Sequence, residues 1–261
     1  MNSSLITNSK TKQIKNKKQI KRNKTFFKKT ISLLLLSGAH IGHDKKTLTT
    51  AMTPYIYGYR KNICILNLSK TYIQLQIAMK FIQKLKQDYN KTQIEPTIIF
   101  VGTNKKTQLI TKLVSNQTKQ FYILNKWIPG FCSNFYQQKI SILRYKIFEQ
   151  KFLFYYKLLQ NNQYNKAYHK YKILYTSLRQ YYNGLRNTYS QPSLFIFFNP
   201  EDHMIGLQEA STSLIPSIAI TDTNLDSKLF NCITYPICGN NDSLESLSFF
   251  ANILSKTITT K

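Results

Sequence analysis

The sequence predicts an α/β protein, in which a sheet of buried strands is flanked by helices and interrupted by a helical hairpin. Five apolar runs of four or five residues, bounded by polar or turn residues, are typical of buried strands. Helical segments follow several of these runs, as in proteins that pack helices on a sheet. The hairpin is predicted because residues 136–186 replace this alternation by two helical patterns, which the polar interval 161–163 separates.

The amino-terminal part is predicted to hold a basic arm, a short helix and a strand that leads into a longer helix. Residues 1–30 carry ten Lys or Arg and no acid, so we expect a disordered arm that orders on RNA rather than a targeting peptide. A short apolar helix over 31–36 should end at Gly38. A His- and Lys-bearing loop precedes the buried strand 63–66. The helix after this strand is expected to bury Ile73, Ile77, Phe81 and Leu85.

Two further strands are predicted over 97–101 and 121–124. The first runs into the turn Gly102–Lys106 and a helix expected to pack through Leu109, Leu113 and Val114. The free amides of such a helix start favour an anion, so the segment fits an RNA phosphate or an ordinary tight turn. It lacks the glycine and Gly-Lys-Ser/Thr pattern of a P-loop, and no dinucleotide motif occurs, so no cofactor is expected. The strand 121–124 leads to the single tryptophan, Trp127, interpreted as core packing rather than base stacking.

Residues 136–186 are predicted to form an antiparallel hairpin whose lysines face outward and whose core is separate from that of the sheet. The segment holds ten tyrosines, ten Lys or Arg and one acid, Glu149. The expected contact face of the first helix consists of Ile140, Leu143, Ile147, Phe154 and Leu158. In the second helix it consists of Tyr168, Tyr171, Tyr175, Leu178, Tyr182 and Leu185, at alternating steps of three and four.

The last third returns to the α/β pattern. Strands are predicted over 194–198 and 216–220, with a helix over 200–213 between them and a polar turn over 222–226 after them. Asp242 and Glu245 are expected to form a capping box at the start of the terminal helix. The predicted organisation is a basic extension (1–30), a first α/β part (31–135), the hairpin (136–186) and a second α/β part (187–261).

The charge of the chain points to a polyanionic partner. Lys and Arg number 37 against 11 acids, a formal charge of +26, which exceeds what solubility requires. Seven of the acids lie between Glu201 and Glu245, where Lys228 is the only Lys or Arg. We therefore expect the first two-thirds to face RNA and the last third to face solvent or basic proteins.

Three other classes of function are disfavoured. The four cysteines form no Cys-x-x-Cys pair, and His40 and His43 have no acid or thiol at ligand spacing, so no metal site is expected. No apolar run approaches the ~20 residues of a spanning helix, so membrane insertion is not expected. Cofactors and homo-oligomers are likewise not expected.

The tetrapeptide His40–His43 reads HIGH, the phosphate-contacting motif of class I aminoacyl-tRNA synthetases. The alternative it raises is a Rossmann-like enzyme of tRNA or nucleotide metabolism with an ATP site. The mobile Lys-Met-Ser-Lys-Ser loop that such a site requires is missing, because none of the four methionines lies in that context. No catalytic residue is therefore assigned.

Eight ordered blocks resemble one family, the second ribosomal protein of the small subunit. They are GAHIGH, MTPYIYGYR, CILNLSKT, IIFVGTNKK, KWIPGFCSN, PSLFIFF, QEASTSLIPSIAITDTN and YPICGNND, which together span about residues 31–258. The resemblance implies a flavodoxin-like parallel sheet with a coiled-coil hairpin inserted after the tryptophan loop. It also implies a structural role, in which the protein holds small-subunit ribosomal RNA and neighbouring ribosomal proteins without catalysis.

The departures from the family pattern favour a mitochondrial over a plastid or bacterial protein. The usual tryptophan is missing from 47–51, Pro129 replaces a glycine, and Cys238 replaces a proline. Lysine exceeds arginine 32 to 5 and residues with AT-rich codons abound, as in an AT-rich organellar genome. The residues assigned to RNA are His40, His43, Lys45, Lys46, Arg60, Lys105, Lys106, Lys126 and Asn134.

Overall fold

A central parallel sheet of five strands organises the computed structural model, which describes residues 27–92, 95–160 and 166–260. The strands are β4 (Ile98–Val101), β5 (Phe121–Ile123), β6 (Leu194–Phe197), β7 (Ser217–Thr221) and β8 (Tyr235–Cys238). Their order is β5-β4-β6-β7-β8 and each neighbouring pair is parallel. Numbered from β4, this is the 2-1-3-4-5 order of flavodoxin-like folds, which confirms the predicted fold class.

A second, smaller sheet is antiparallel and has the order β1-β3-β2. It contains β1 (Ile41–Asp44), β2 (Ile56–Arg60) and β3 (Ile63–Leu66), with two 3-10 segments, Lys45–Thr47 and Thr50–Tyr55, between β1 and β2. The predicted strand at 63–66 is therefore correct, but it does not belong to the main sheet. The preceding segment, expected to be a loop, contains two of the three strands.

Eight helices lie in the described part of the chain. They are α1 (27–36), α2 (Leu68–Thr92), α3 (Lys105–Thr118), α4 (Phe135–Gln160), α5 (Lys166–Tyr182), α6 (Met204–Thr212), α7 (Ser227–Cys232) and α8 (Leu244–Thr259). The end of α1 matches the prediction, because Gly38 has φ +69° and the Ala39 and Gly38 amides donate to the Leu34 and Leu35 carbonyls. The helix already includes residues 27–30, which were assigned to the arm. The rest of the predicted arm lies outside the described residues.

The main sheet is buried on both faces, as a parallel sheet requires. In β4, Ile98 and Phe100 point into one core cluster, which α1, α2, α3 and α8 cover. Ile99 and Val101 point into the other, which also contains Trp127 and residues of α6. The base of the hairpin belongs to this second cluster, through Tyr145, Tyr182 and Leu185. The expected separation between the hairpin core and the sheet core is therefore wrong.

The predicted inward faces of three helices need correction. Ile73 of α2 is 55% exposed and Leu109 of α3 is 64% exposed, and Ile77 and Leu113 are exposed as well. The prediction is correct for Val114, which is buried, and for Phe81 and Leu85, which are partly buried against the core. The other buried residues of these two helices are Leu68, Thr71, Tyr72, Leu75, Ala78, Ile82, Thr107, Ile110, Thr111, Ser115 and Thr118. Because both helices carry apolar residues on more than one side, the spacing alone does not select the face that meets the sheet.

The hairpin itself is confirmed, and the predicted face of α5 is correct at its core. Tyr168 and Tyr182 are buried, and Tyr175 stacks on Phe152 with ring centroids 4.9 Å apart. The predicted face of α4 is wrong, since Leu143, Ile147 and Phe154 are exposed. The residues of α4 that meet α5 include Tyr145, Phe148, Phe152 and Tyr155.

The structure also contains elements that the sequence did not predict. Strand β8 contains Pro236, which is rare inside a sheet but is accommodated here because β8 is an edge strand. The short helix α7 fills the interval after the polar turn. The predicted capping box is absent, since α8 begins after Ser243, and Asn240 Oδ1 accepts the Asp242 and Ser243 amides instead.

The stacked rings predict where the hairpin is sensitive. Phe152→Ala removes the ring that stacks on both Tyr168 and Tyr175 and should destabilise the hairpin by about 2 kcal/mol. Phe154→Ala is the matched control, because this ring is 59% exposed and its loss should cost no more than ~0.5 kcal/mol. Amide hydrogen exchange across α4 and α5 would measure both changes. Equal losses of protection in the two variants would contradict the assigned contact face.

Candidate nucleic-acid interface

The loops that carry the predicted site residues gather at one edge of the main sheet. Because all five strands are parallel, the segments that follow them leave from the same, carboxyl-terminal edge. These segments are 102–104 after β4, 124–134 after β5, 198–203 after β6, 222–226 after β7 and 239–243 after β8. The small sheet joins this edge beside β7 and β8, where the Thr49 amide donates to the Thr223 carbonyl and the Asn240 amide donates to the Ala39 carbonyl.

Three of the predicted cations, Lys45, Lys46 and Arg60, lie on the small sheet or directly beside it. Strands β2 and β3 are joined by Lys61 and Asn62, whose φ angles of 46° and 65° are those of a tight two-residue hairpin turn. Arg60 is exposed at the start of this turn, and the Lys45 amide donates to the Asn62 carbonyl over 2.8 Å. Lys45 Nζ lies 5.0 Å from the centre of the Tyr59 ring. We call residues 44–46 and 56–63 the basic finger.

His43 fastens the small sheet to the main sheet. Its Nδ1 lies 3.2 Å from Asp222 Oδ2 and its Nε2 lies 3.1 Å from Asp242 Oδ2. The His43 amide also donates to Thr223 Oγ1 over 2.9 Å. Next to it, a Cβ on Gly42 would lie 2.7 Å from Thr223 Cγ2, so only glycine permits this approach.

The carboxylates around His43 keep its imidazole charged. Contact with Asp222 is the largest cause that raises the pKa of His43 from 6.5 to about 9; burial opposes it, and the charges of Asp242 and Glu201 add to it. Asp222 is only 1% exposed and is therefore an exception to the expectation that the acids of the last third face solvent, whereas Asp242 is exposed. A histidine held between two carboxylates is not free to contact ATP phosphates, so the HIGH motif has a structural role here.

His40 has a different position from His43. It lies in the turn before β1, half buried, and its carbonyl accepts the Leu66 amide over 2.8 Å. Its buried Nδ1 has no hydrogen-bond partner in the structure. The two histidines therefore do not act as a pair. In the described ranges, no three His, Cys, Asp or Glu side chains are arranged as a metal site.

Lys105 and Lys106 begin α3 and lie at the same edge. Lys106 Nζ donates to the Asp242 carbonyl over 2.9 Å, so this turn adjoins the residue that also contacts His43. Gly102 is explained by packing, because a Cβ there would lie 2.4 Å from Thr111 Oγ1. The Asn104 side chain does not cap the helix, which leaves its first-turn amides directed at the edge.

Lys126 and Asn134 follow β5, which is the opposite outer strand from β8. Four strand spacings separate these two strands, or roughly 19 Å. Lys126 lines a cleft of about 900 Å³ together with Thr103, Trp127 and His203. Burial lowers the pKa of His203 to about 4, so its imidazole is neutral there. The predicted site residues therefore form two groups at one edge rather than one compact site.

Trp127 packs in the core, as predicted. Its ring lies 5.4 Å from that of Phe195 and 5.8 Å from that of Phe131, and Gly206 leaves room for it. Glu209 holds the loop that follows, since its carboxylate accepts the Gly130 amide over 2.7 Å and the Cys132 amide over 3.1 Å. This places Asn134 at the start of α4, where its amide donates to the Gly130 carbonyl.

Sequence reasoning missed the partners of the predicted residues. Asp222 and Asp242 were assigned to a turn and a cap, although both contact His43. The available signal was the concentration of acids in the last third, but spacing cannot pair residues about 180 positions apart. Tyr57 and Lys61 of the basic finger were missed because the segment was expected to be a loop.

The fold and this edge define a doubly wound α/β protein with a basic surface and no enzyme motif. The sequence profile described as "Ribosomal protein S2" matches residues 34–260. The chain therefore belongs to the ribosomal protein S2 family, and it is a structural protein of the small ribosomal subunit rather than an enzyme. None of the helices in the described ranges has the length and apolar character to cross a membrane.

Curated relatives agree with this assignment, and each is named small ribosomal subunit protein uS2. The protein from Ehrlichia chaffeensis is 33% identical over 236 residues, which cover 88% of this chain and 75% of the relative. That from Orientia tsutsugamushi is 31% identical over 234 residues, with the same coverage. That from Dictyoglomus thermophilum is 31% identical over 226 residues, which cover 86% of this chain and 87% of the relative.

The raised pKa of His43 predicts a dependence of stability on pH. A group whose pKa is higher in the folded state stabilises the protein fully below its unfolded pKa of 6.5, and this contribution is lost as the pH rises through about 9. His43→Gln should therefore be less stable than the wild type at pH 6, by about 1 kcal/mol after solvent screening. The difference should shrink by pH 10.

Urea unfolding of both proteins between pH 6 and pH 10 would measure this dependence. His169→Gln is the control, because His169 is exposed on α5, far from the His43 contacts in the fold. A constant difference between wild type and His43→Gln across this range would contradict the charged role of His43.

Proposed function

We propose that this chain is a structural component of the mitochondrial small ribosomal subunit and that it holds ribosomal RNA through the basic finger and the carboxyl-terminal edge of its sheet. The observation that carries the proposal is the position of the cations. Lys45, Lys46, Arg60, Lys105 and Lys126 are all exposed at this edge or on the small sheet that joins it. Exposed cations on a rigid edge are suited to the phosphate backbone of RNA.

Three acids near this edge support the proposal, because their carboxylates contact groups of the protein itself. Asp222 is buried, Asp242 contacts His43, and the Glu201 side chain accepts a hydrogen bond from Asn241 over 3.1 Å. Since these carboxylates are bound by groups of the protein itself, they do not neutralise the lysines nearby. The surface thus stays positive although seven acids lie in the last third of the sequence.

The mitochondrial assignment rests on composition and on departures from the family pattern. The excess of lysine over arginine and the abundance of residues whose codons are AT-rich point to an organellar genome. The curated relatives above are bacterial. This chain departs from the family pattern at Pro129 and at Cys238. Immunodetection in purified mitochondria and plastids, followed by sedimentation with small subunits, would test this assignment. Recovery in plastid ribosomes alone would overturn it.

RNA binding through the finger predicts a change in salt dependence. Replacing Lys45, Lys46 and Arg60 by Gln should reduce the slope of log K against log salt by roughly 2, since each phosphate contact adds about 0.7 on single strands and 0.9 on duplex. The assay is a filter-binding titration of the full chain with small-subunit ribosomal RNA at several salt concentrations.

The matched control replaces three exposed lysines at the opposite edge of the sheet. Lys84 lies in the carboxyl-terminal half of α2, and Lys119 and Lys256 lie at the carboxyl-terminal ends of α3 and α8. These helices run antiparallel to the strands they cover. Their replacement by Gln lowers the net charge by the same amount but should leave the slope nearly unchanged. An equal loss of slope in both triple variants would show that charge alone, rather than the edge, determines binding.

A further inference from the structure

The basic finger carries an aromatic side chain that the fold does not use. Tyr57 is 80% exposed, and its ring and hydroxyl have no hydrogen-bond, ring or cation partner in the part of the chain that the structure describes. Burial of its ring therefore contributes little to stability. A large exposed aromatic residue on an element that also carries exposed cations points to a binding role.

A β-bulge gives Tyr57 this position. Ile56 pairs with Leu66 and Gly58 pairs with Ile65, so Tyr57 is the extra residue and has no partner on β3. Bulges change the direction of a side chain relative to the regular sheet. Gly58 beside it has open space at its Cβ position, so nothing crowds the ring from that side.

The cations of the finger lie on the same small sheet as this ring or beside it. Residues 44–63 contain Lys45, Lys46, Arg60 and Lys61 and a single acid, Asp44. Lys61 has φ 46°, a left-handed conformation that is uncommon for a residue other than glycine. A lysine thus occupies a turn position that glycine or asparagine would fill with less strain.

An open aromatic ring together with cations favours single-stranded RNA over duplex RNA. A duplex keeps its bases stacked inside, so it would offer the finger only phosphates. An unpaired nucleotide offers a flat base for an aromatic ring and adjoining phosphates for cations, which is how proteins hold single-stranded RNA. Tyr59 is already covered by Lys45, at 5.0 Å, and this leaves Tyr57 as the open ring.

We propose that Tyr57 stacks on an unpaired base of ribosomal RNA while Lys45, Lys46, Arg60 and Lys61 hold the phosphates beside it. This inference rests on the proposed function, because it names the form of RNA that the finger binds. Tyr57 supplies stacking and no charge, whereas Lys61 supplies charge and no stacking. The two residues should therefore affect different measurements.

The test uses the full chain and a 12-nucleotide single-stranded RNA that contains one 2-aminopurine, together with a blunt duplex of the same sequence. Tyr57→Ala should weaken binding of the single strand by about 5- to 100-fold, the effect of losing one stacked base, and should abolish 2-aminopurine quenching. It should leave the salt slope and duplex binding unchanged. Tyr57→Trp should restore both affinity and quenching.

Lys61→Gly serves as the complementary variant. It should reduce the single-strand salt slope by about 0.7 and leave quenching in place. Because glycine adopts φ 46° without strain, its melting temperature should not fall, so weaker binding could not be attributed to unfolding. Tyr189→Ala is the control for an exposed tyrosine elsewhere, since this residue is 61% exposed outside the finger.

The outcomes separate this inference from the proposed function. If the wild-type chain binds neither RNA, the proposed function itself is wrong. If it binds RNA but Tyr57→Ala retains full affinity and quenching, stacking by Tyr57 is overturned and the proposed function remains. If Tyr57→Ala retains RNA binding but no longer enters small subunits, Tyr57 contacts a protein neighbour, and the inference is likewise overturned.

Discussion

Burial of the parallel sheet on both faces is the constraint from which the rest of the structure follows. Strands such as β4 and β6 have no exposed residue, so each face needs its own layer of side chains. Helices α1, α2, α3 and α8 supply one layer. The other is built from the Trp127 loop, α6, α7 and the base of the hairpin, which explains why the hairpin begins directly after that loop. The hairpin is thus anchored in the core of the sheet at Tyr145 and Tyr182.

Because both faces of the main sheet are covered, binding has to use the exposed loops at the ends of its strands. The carboxyl-terminal edge receives the loops after all five strands, and the small sheet is fixed to it by His43. That contact joins residues about 180 positions apart, so it holds the amino-terminal segment on the last third of the chain. The basic finger consequently has a fixed position relative to Lys105 and Lys106, although the two lie in different sheets.

The sequence predicts four of the five strands of the main sheet, because their apolar runs have one interpretation, and misses β8, which contains Pro236. Leu194–Phe197 and Ile98–Val101 are buried on both sides, so no choice of face is needed. Helices are harder, because α2 carries both Ile73 and Leu75 and only the position of the sheet decides that Leu75 is buried. The site was predictable in its cations but not in its carboxylates, since the role of Asp222 depends on a partner brought close only by folding.

The contacts that the carboxylates make within the fold explain why so basic a protein can fold and yet keep a surface suited to RNA. Within the described residues, the acids whose contacts are identified include Glu149, Glu201, Asp202, Glu209, Asp222, Asp226 and Asp242. Only Glu149 among them pairs with an arginine, Arg186, and the other six bind histidine, amide or backbone groups.

These carboxylates therefore stabilise loops and helix starts without neutralising lysines. The charge of +26 stays on the surface, where it repels itself in the free protein. Neutralisation has to come from outside the chain, and the phosphates of ribosomal RNA supply charge of the required sign and density. Because the acids bind groups of the protein itself, the lysines remain unneutralised, and a polyanion outside the chain is needed to balance their charge.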